Sequence, residues 1–493
     1  MALIFAAPSL RRRDNTDQSS DWAFDLQTAI GKARPGDTIE LLPGRYPTPT
    51  VIAISGTKTH PITIRGPRRG RAVLDGGKTR DDGRHGGLEP LDGDFAFLKL
   101  FGADHIVIEN LSFENCWPNA IYLRSCRDVT VRGCSGTGGR YFLYARQTDQ
   151  KPTKGLVLDG ITWVQDPDHD MWDGRHTWPE VKGKRDHFDA SFFNGAMLGA
   201  FDIEGQVVVR NCKISHAFNA IRMDIREKRI EGTKKEPRIT RNRNVRIHDN
   251  SFAFIRDNAV EPELGAEDWC IYNNRFYNCH AAFSIDGVAM RDFIVLANWV
   301  LNDRRPGLIG QDNQGGKVFK FLGPPDKTGN MPPRARKGFW SIFNSAQTRT
   351  TYAKKGRTSE WNDRYTLLGL YDAEYPENAG PPREAFDRFE WNDDVEVQDM
   401  VCNDPRFPKQ YRCEGTKLPG AVKVVQTFDL CDFDCCANHP LGGWNGELPP
   451  GEEARDLTSK AFKIKRVDGS ELHFKSGLSY GAQPVAAFDL KEL

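Results

Sequence analysis

No stretch of this chain approaches the ~20 consecutive apolar residues that a membrane-spanning helix needs. No membrane partner is expected. Net charge is nearly absent as well: 68 Lys and Arg against 67 Asp and Glu leave +1, too little for the global field that nucleic-acid binding exploits. Met1 to Ala7 is apolar but short, and Arg11 to Arg13 follow it, the reverse of a signal-peptide order. The expectation is a leader already removed or none. The eleven cysteines lack a common zinc spacing, and Cys402, Cys413, Cys431, Cys435 and Cys436 crowd into the last hundred residues. They read as disulfides of a secreted or periplasmic protein, with an odd thiol left free or paired between chains. Cys116 and Cys279 each follow an Asn and read as small buried coil residues.

Long helical periodicity is missing too. In its place come short β-branched segments ending on polar turns: Ile62-Thr63-Ile64, Ile106-Val107-Ile108, Val129-Thr130-Val131, Val207-Val208-Val209, Val245-Arg246-Ile247 and Cys270-Ile271-Tyr272. Each is too short for a helix, and closure by Asn, Asp or Gly suits the corners of stacked strands. A length of 493 residues is ordinary for a solenoid, which grows by adding rungs. The expected fold is all-β, a right-handed parallel β-helix with an N-terminal cap helix near Phe24 to Ile30 and long loop insertions. Its boundaries are read as an extension at 1–20, the β-helix at 21–345, and irregular turns, a cap or a small appended module at 346–493.

Four runs align: Asn119-Ala120-Ile121-Tyr122-Leu123-Arg124, Asn219-Ala220-Ile221-Arg222-Met223-Asp224, Asn258-Ala259-Val260-Glu261-Pro262-Glu263 and Ala281-Ala282-Phe283-Ser284-Ile285-Asp286. Alternation turns Ile121, Ile221, Val260 and Phe283 inward. Tyr122, Arg222, Glu261 and Ser284, then Arg124, Asp224, Glu263 and Asp286, face outward. At the ~4.8 Å sheet spacing Asp224, Glu263 and Asp286 would form one carboxylate column, costly unless a proton, cation or metal is shared. Asn119, Asn219 and Asn258 read as an asparagine ladder at one corner. Insertions fall at 146–200, which carries Trp163, Trp172, Trp178, His169, His176 and His187, and at 225–244. Between Arg226 and Arg246 basic residues outnumber acidic ones, either as a solvated loop or as a wall suited to an anionic polymer.

From about residue 24 to 305 the chain resembles the chondroitinase-B and alginate-lyase family of right-handed parallel β-helix polysaccharide lyases. The likeness rests on Gly36-Asp37-Thr38-Ile39, Pro43-Gly44-Arg45-Tyr46, Ala220-Ile221-Arg222-Met223, Glu261-Pro262-Glu263 and Asn273-Asn274-Arg275 leading to Phe283-Ser284-Ile285-Asp286-Gly287. It implies calcium held by Glu261 and Glu263 with Asn219 or His216, and Arg222 facing a groove. Asp268 and Ile285, however, stand where the family has its catalytic lysine and arginine, so the family's β-elimination machinery is not reproduced.

What remains is a set of carboxylates, the equipment of glycoside hydrolysis. Glu263 with Glu261 or Asp286, and Asp224 nearby, are the candidate catalytic residues. Arg222, Tyr122, Arg124, His187 and Trp172 are the candidate substrate contacts. The expected partner is a poly- or oligosaccharide, with an anionic one among the candidates. Calcium is the only cofactor implied, and only for a lyase-like site. The alternatives are a lyase or uronan epimerase with a histidine or Tyr122 as base, and a glycan-binding β-helix without chemistry.

Overall fold

The computed structural model describes residues 1–8, 23–79, 96–168, 194–232, 237–285, 289–301, 317–320, 336–348, short strands between 351 and 403, and 461–466 with 469–475. The chain divides into one compact unit of Met1–His169 with Lys182–Met223 and a second whose main body is Asp224–Leu493.

Each unit is a stack of β-helix rungs. In the first, successive strands pass from one parallel sheet to the next and back: Asp104–Glu109, Ser112–Cys116 and Asn119–Arg124 make one rung, and Arg127–Arg132, Ser135–Thr137 and Tyr141–Arg146 the next. Every strand pairs in parallel with its counterpart one rung on. Side chains therefore stack on their equivalents. Ile39, Ile64, Ile108, Val131, Leu158 and Val209 lie in register on the first sheet, all with no exposed surface. Outside them runs a register of alternating charge, Glu40, Arg65, Glu109, Arg132, Asp159 and Arg210. Arg65 reaches Glu40 at 2.6 Å, Arg132 reaches Glu109 at 2.5 Å and Arg210 reaches Asp159 at 2.8 Å. Exposed pairs contribute little each, but a slipped register would set like charges opposite one another.

The corners explain the polar strand ends. From Asp104–Glu109 onward the residues closing these first-sheet strands are left-handed: Asn110 at φ 56°, Gly133 at 59°, Gly160 at 67° and Asn211 at 54° in the first unit, then Asp249 at 56°, Asn273 at 51°, Ala297 at 52° and Phe343 at 50° in the second. Asn, Asp and Gly adopt this conformation at least cost.

In the second unit the first sheet runs through Arg243–His248, Gly265–Tyr272, Ala289–Leu296 and Arg336–Ile342, the second through Ser251–Ile255, Arg275–Tyr277 and Trp299–Leu301, and the third through Asn258–Glu263, Ala281–Ser284 and Lys317–Lys320. Its core is aromatic, with Trp269, Phe293 and Phe339 stacked along one column and Phe283 on Phe319 along another. The asparagine ladder is here, at Asn250, Asn274, Asn298 and Asn344. Asn274, Asn298 and Asn344 each accept at Oδ1 from the backbone amide and the side-chain amide of the one before.

Leu3–Ala6 pairs with Thr38–Leu41 in the first sheet. Parallel pairing also continues past residue 345, through Trp361–Arg364 and Val401–Asn403. A short helix, Leu26–Lys32, is capped by Asp25 and buries Leu26, Ala29 and Ile30. The expected loop 225–244 contains an antiparallel hairpin, Ile230–Gly232 with Pro237–Ile239. Its Ile239 packs with Ile225 and Ala289, with Leu264 at the edge. Near the C-terminus Phe462–Lys465 and Glu471–Phe474 form a second hairpin. It docks by Phe474 against Phe343 and by Arg466, buried, onto Asp268.

Candidate functional site

The third sheet of the second unit carries the two glutamates. In Asn258–Glu263 the burial alternates as alternation requires: Val260 and Pro262 are buried, Glu261 and Glu263 half-buried. Both acids therefore leave one strand on one face, two residues apart, or about 6.6 Å between Cα atoms at ordinary strand rise. Asn258, with no exposed surface, donates its Nδ2 to Glu261 Oε1 at 2.7 Å. That bond fixes the Glu261 carboxylate from within its own strand. The corner asparagine expected as a ladder member is thus a positioning group here.

The next rung is in register: Asn258 lies opposite Ala281 and Val260 opposite Phe283. One residue further on, Glu261 lies opposite Ser284, and Ser284 opposite Lys320. Ser284 is 1% exposed, and its Oγ is buried without a hydrogen-bond partner. Lys320 was missed in the sequence. Its signal is the alternation Lys317-Val318-Phe319-Lys320, but the interval from Ser284 is too long and irregular for the rung to be aligned by spacing alone. Asp286 lies outside the described residues, as do His187 and Trp172.

The remaining candidates belong to the first unit, apart from Asp224, a half-buried acid at the end of Ile221–Asp224. Arg222 is half-buried and donates through Nη1 to Asn194 Oδ1 at 3.0 Å, and Asn219 donates Nδ2 to the same oxygen at 3.2 Å. Asn194 gathers both groups, and nothing in the aligned runs signalled it. Tyr122 is 3% exposed and lies in a cluster with Tyr141 and Tyr144, stacked on Tyr144 with ring centroids 6.5 Å apart. Its ring is packed within the protein. Gly199 makes room for that cluster, since a Cβ there would come within 2.5 Å of the Tyr141 ring. Arg124 is half-buried, opposite Arg146 on the next rung.

Asp268 has a structural explanation. It occupies a left-handed position at φ 56° and binds two guanidinium groups, Arg246 Nη2 at 3.0 Å and Arg466. Ile285 is a core residue with no exposed surface.

Calcium takes six to eight oxygen ligands. Among the described residues no group of three or more His, Cys, Asp or Glu is placed to hold a metal. Asn258 turns its amide nitrogen, not its oxygen, toward Glu261. Glu261 and Glu263 are the carboxylates that would be offered to such an ion, and no step is derived through it.

No family model matches the chain, and no curated protein matches it. Solved structures do. A GH136 lacto-N-biosidase from Eubacterium ramulus is similar over 81% of this chain and 68% of its own, at 9% identity and a TM-score of 0.49. The pectate lyase Pel9A is similar over 81% and 79%, at 10% identity and 0.43. A mannuronic acid specific family 6 polysaccharide lyase from human gut microbiota is similar over 85% and 91%, at 11% identity and 0.45. At such identities and scores they transfer no residue role to this chain, whose parallel β-helix stands on its own strand register.

Proposed function

We propose that this chain is a carbohydrate-active enzyme that hydrolyses glycosidic bonds of a poly- or oligosaccharide lying on the outward face of the second unit's third sheet. The observation that carries this reading is the pair Glu261 and Glu263, on one face of one strand with Asn258 bonded to the first. Glycoside hydrolysis needs one carboxyl to protonate the leaving oxygen and one carboxylate to activate water or attack. Glu261, receiving an N–H, is suited to the carboxylate role. Glu263 is then the acid. The distance between the two carboxyl groups sets the stereochemistry: ~5–5.5 Å gives retention of anomeric configuration and ~6.5–9.5 Å gives inversion.

The test pairs two assays on neutral and uronate-containing glycans: release of reducing ends, and ultraviolet absorbance of an unsaturated product. Reducing ends without absorbance support hydrolysis, and both together would assign the site to β-elimination, for which Lys320 would be the nearby cation. Glu263→Gln is expected to lower kcat/KM by about 10²–10⁴-fold, the usual contribution of general acid–base catalysis. Unchanged cleavage by that variant would remove Glu263 from the mechanism.

A further inference from the structure

We propose that Ser284 and Lys320 form, with Glu261, a subsite that grips adjacent hydroxyl groups of a neutral sugar ring. This rests on the reading of Glu261 and Glu263 as the working pair. Three outward positions in register, one per rung, carry an acceptor, a hydroxyl and a cationic donor: Glu261, Ser284 and Lys320. At about 4.8 Å per rung, the column spans roughly 9.6 Å, comparable to a sugar ring with its substituents.

Ser284 Oγ is the second observation. A buried hydroxyl without a partner costs about 1–3 kcal/mol, and alanine would fit the same place at no such cost. Its neighbours Ala281 and Ala282, on the same strand and equally buried, show that the rung accommodates alanine. The hydroxyl is unpaired in the protein alone and meets its partner when a ligand oxygen lies between Glu261 and Lys320. Phe283, the inward neighbour, is fixed by stacking on Phe319 at 5.1 Å, which keeps Ser284 on the outward side.

Charge selects the ligand. An acidic ring at Lys320 would share these rungs with the carboxylates of Glu261 and Glu263, and like charges oppose an anion there. A sugar diol suffers no such repulsion. One hydroxyl accepts from the Lys320 ammonium, its neighbour donates to Glu261, and Ser284 bonds to either.

The experiment measures kcat and KM separately for Ser284→Ala, Lys320→Met and Lys320→Arg, on the best neutral glycan of the panel. Expected are a KM rise of about 10-fold for Lys320→Met and about 3-fold for Ser284→Ala, kcat within about twofold, and partial recovery in Lys320→Arg. Ser284→Ala should also unfold at no lower urea concentration than the parent, because it removes an unpaired polar atom. A merely structural serine would lower stability and leave KM alone, which overturns the proposal. Parental KM in both variants, on a substrate that Glu263→Gln no longer cleaves, overturns the subsite while the catalytic reading stands. Cleavage confined to uronate-containing glycans overturns the neutral-sugar assignment.

Discussion

Replacing Asn274 by alanine tests how the second unit is held. Asn274 has no exposed surface, and its Oδ1 accepts from the Asn250 backbone amide at 3.1 Å and from Asn250 Nδ2 at 2.9 Å. Its Nδ2 donates to the Ile247 carbonyl and to Asn298 Oδ1, both at 2.9 Å. Alanine keeps none of these. The Asn250 amide, the Asn250 side-chain N–H and the Ile247 carbonyl lose partners in a buried corner, whereas Asn298 Oδ1 keeps the Asn274 backbone amide at 3.1 Å. At about 1–3 kcal/mol for each unsatisfied buried group, and with partial relaxation, the loss is about 3–6 kcal/mol. The assay is urea unfolding followed by circular dichroism, with the midpoint shift converted at the parent's m-value. Asn211→Ala is the comparison: that side chain is exposed and, among the described residues, bonds to Asp159, so its loss should stay within about 1–2 kcal/mol, the cost of alanine at a left-handed corner. A loss below about 1 kcal/mol for Asn274→Ala would refute the ladder as a source of stability.

Other consequences are open to direct measurement. Burial pushes the thiols of Cys116, Cys134, Cys212, Cys270 and Cys279 up to about 12 and that of Cys126 to about 11. Only the thiolate attacks a disulfide reagent. The native protein should therefore expose at most five of its eleven cysteines (11 less these 6) to such a reagent at neutral pH, and a higher count refutes this burial. Asp25 caps the helix Leu26–Lys32, and bonds from the Thr28 hydroxyl and then the Thr28 amide hold its carboxyl below the ordinary aspartate value. A lowered folded value means the cap acts fully above the unfolded value and is lost as pH falls through the folded one. Asp25→Ala should then cost about 1 kcal/mol at neutral pH, and less in acid where the parent has also lost its cap. Arg466→Ala should loosen the C-terminal hairpin at a cost of about 1–3 kcal/mol, less than a fully broken buried pair because Asp268 keeps Arg246. Limited proteolysis within 461–475 reads the effect, and an unchanged cleavage rate counts against the docking contact.

Much of the rung pattern was legible because period-two alternation and left-handed corners are local. Ile121, Ile221, Val260 and Phe283 are buried as the alternation predicts. Polar residues end the strands where the backbone turns left-handed, at Asn110, Asn211, Asp249 and Asn273. The ladder was misplaced for a physical reason. An asparagine at a corner looks the same in sequence whether it bonds to its neighbour above, as Asn250 and Asn274 do, or turns back to its own strand, as Asn258 does to Glu261. Lys320 escaped because unequal intervals hide register, so that it could not be aligned with Ser284.

The sequence by itself determined the fold class, the inward residues and the presence of two glutamates on one strand face, since each follows from dihedral preference and alternation over a few residues. Only the tertiary structure decided which rungs stand together. Register between distant segments arises from stacking Phe283 on Phe319 and Trp269 on Phe293, and from bonds such as those of Asn274 to Asn298. It is register that places Ser284 and Lys320 beside Glu261, and packing that sets Tyr122 in an aromatic cluster and Asp268 between two arginines.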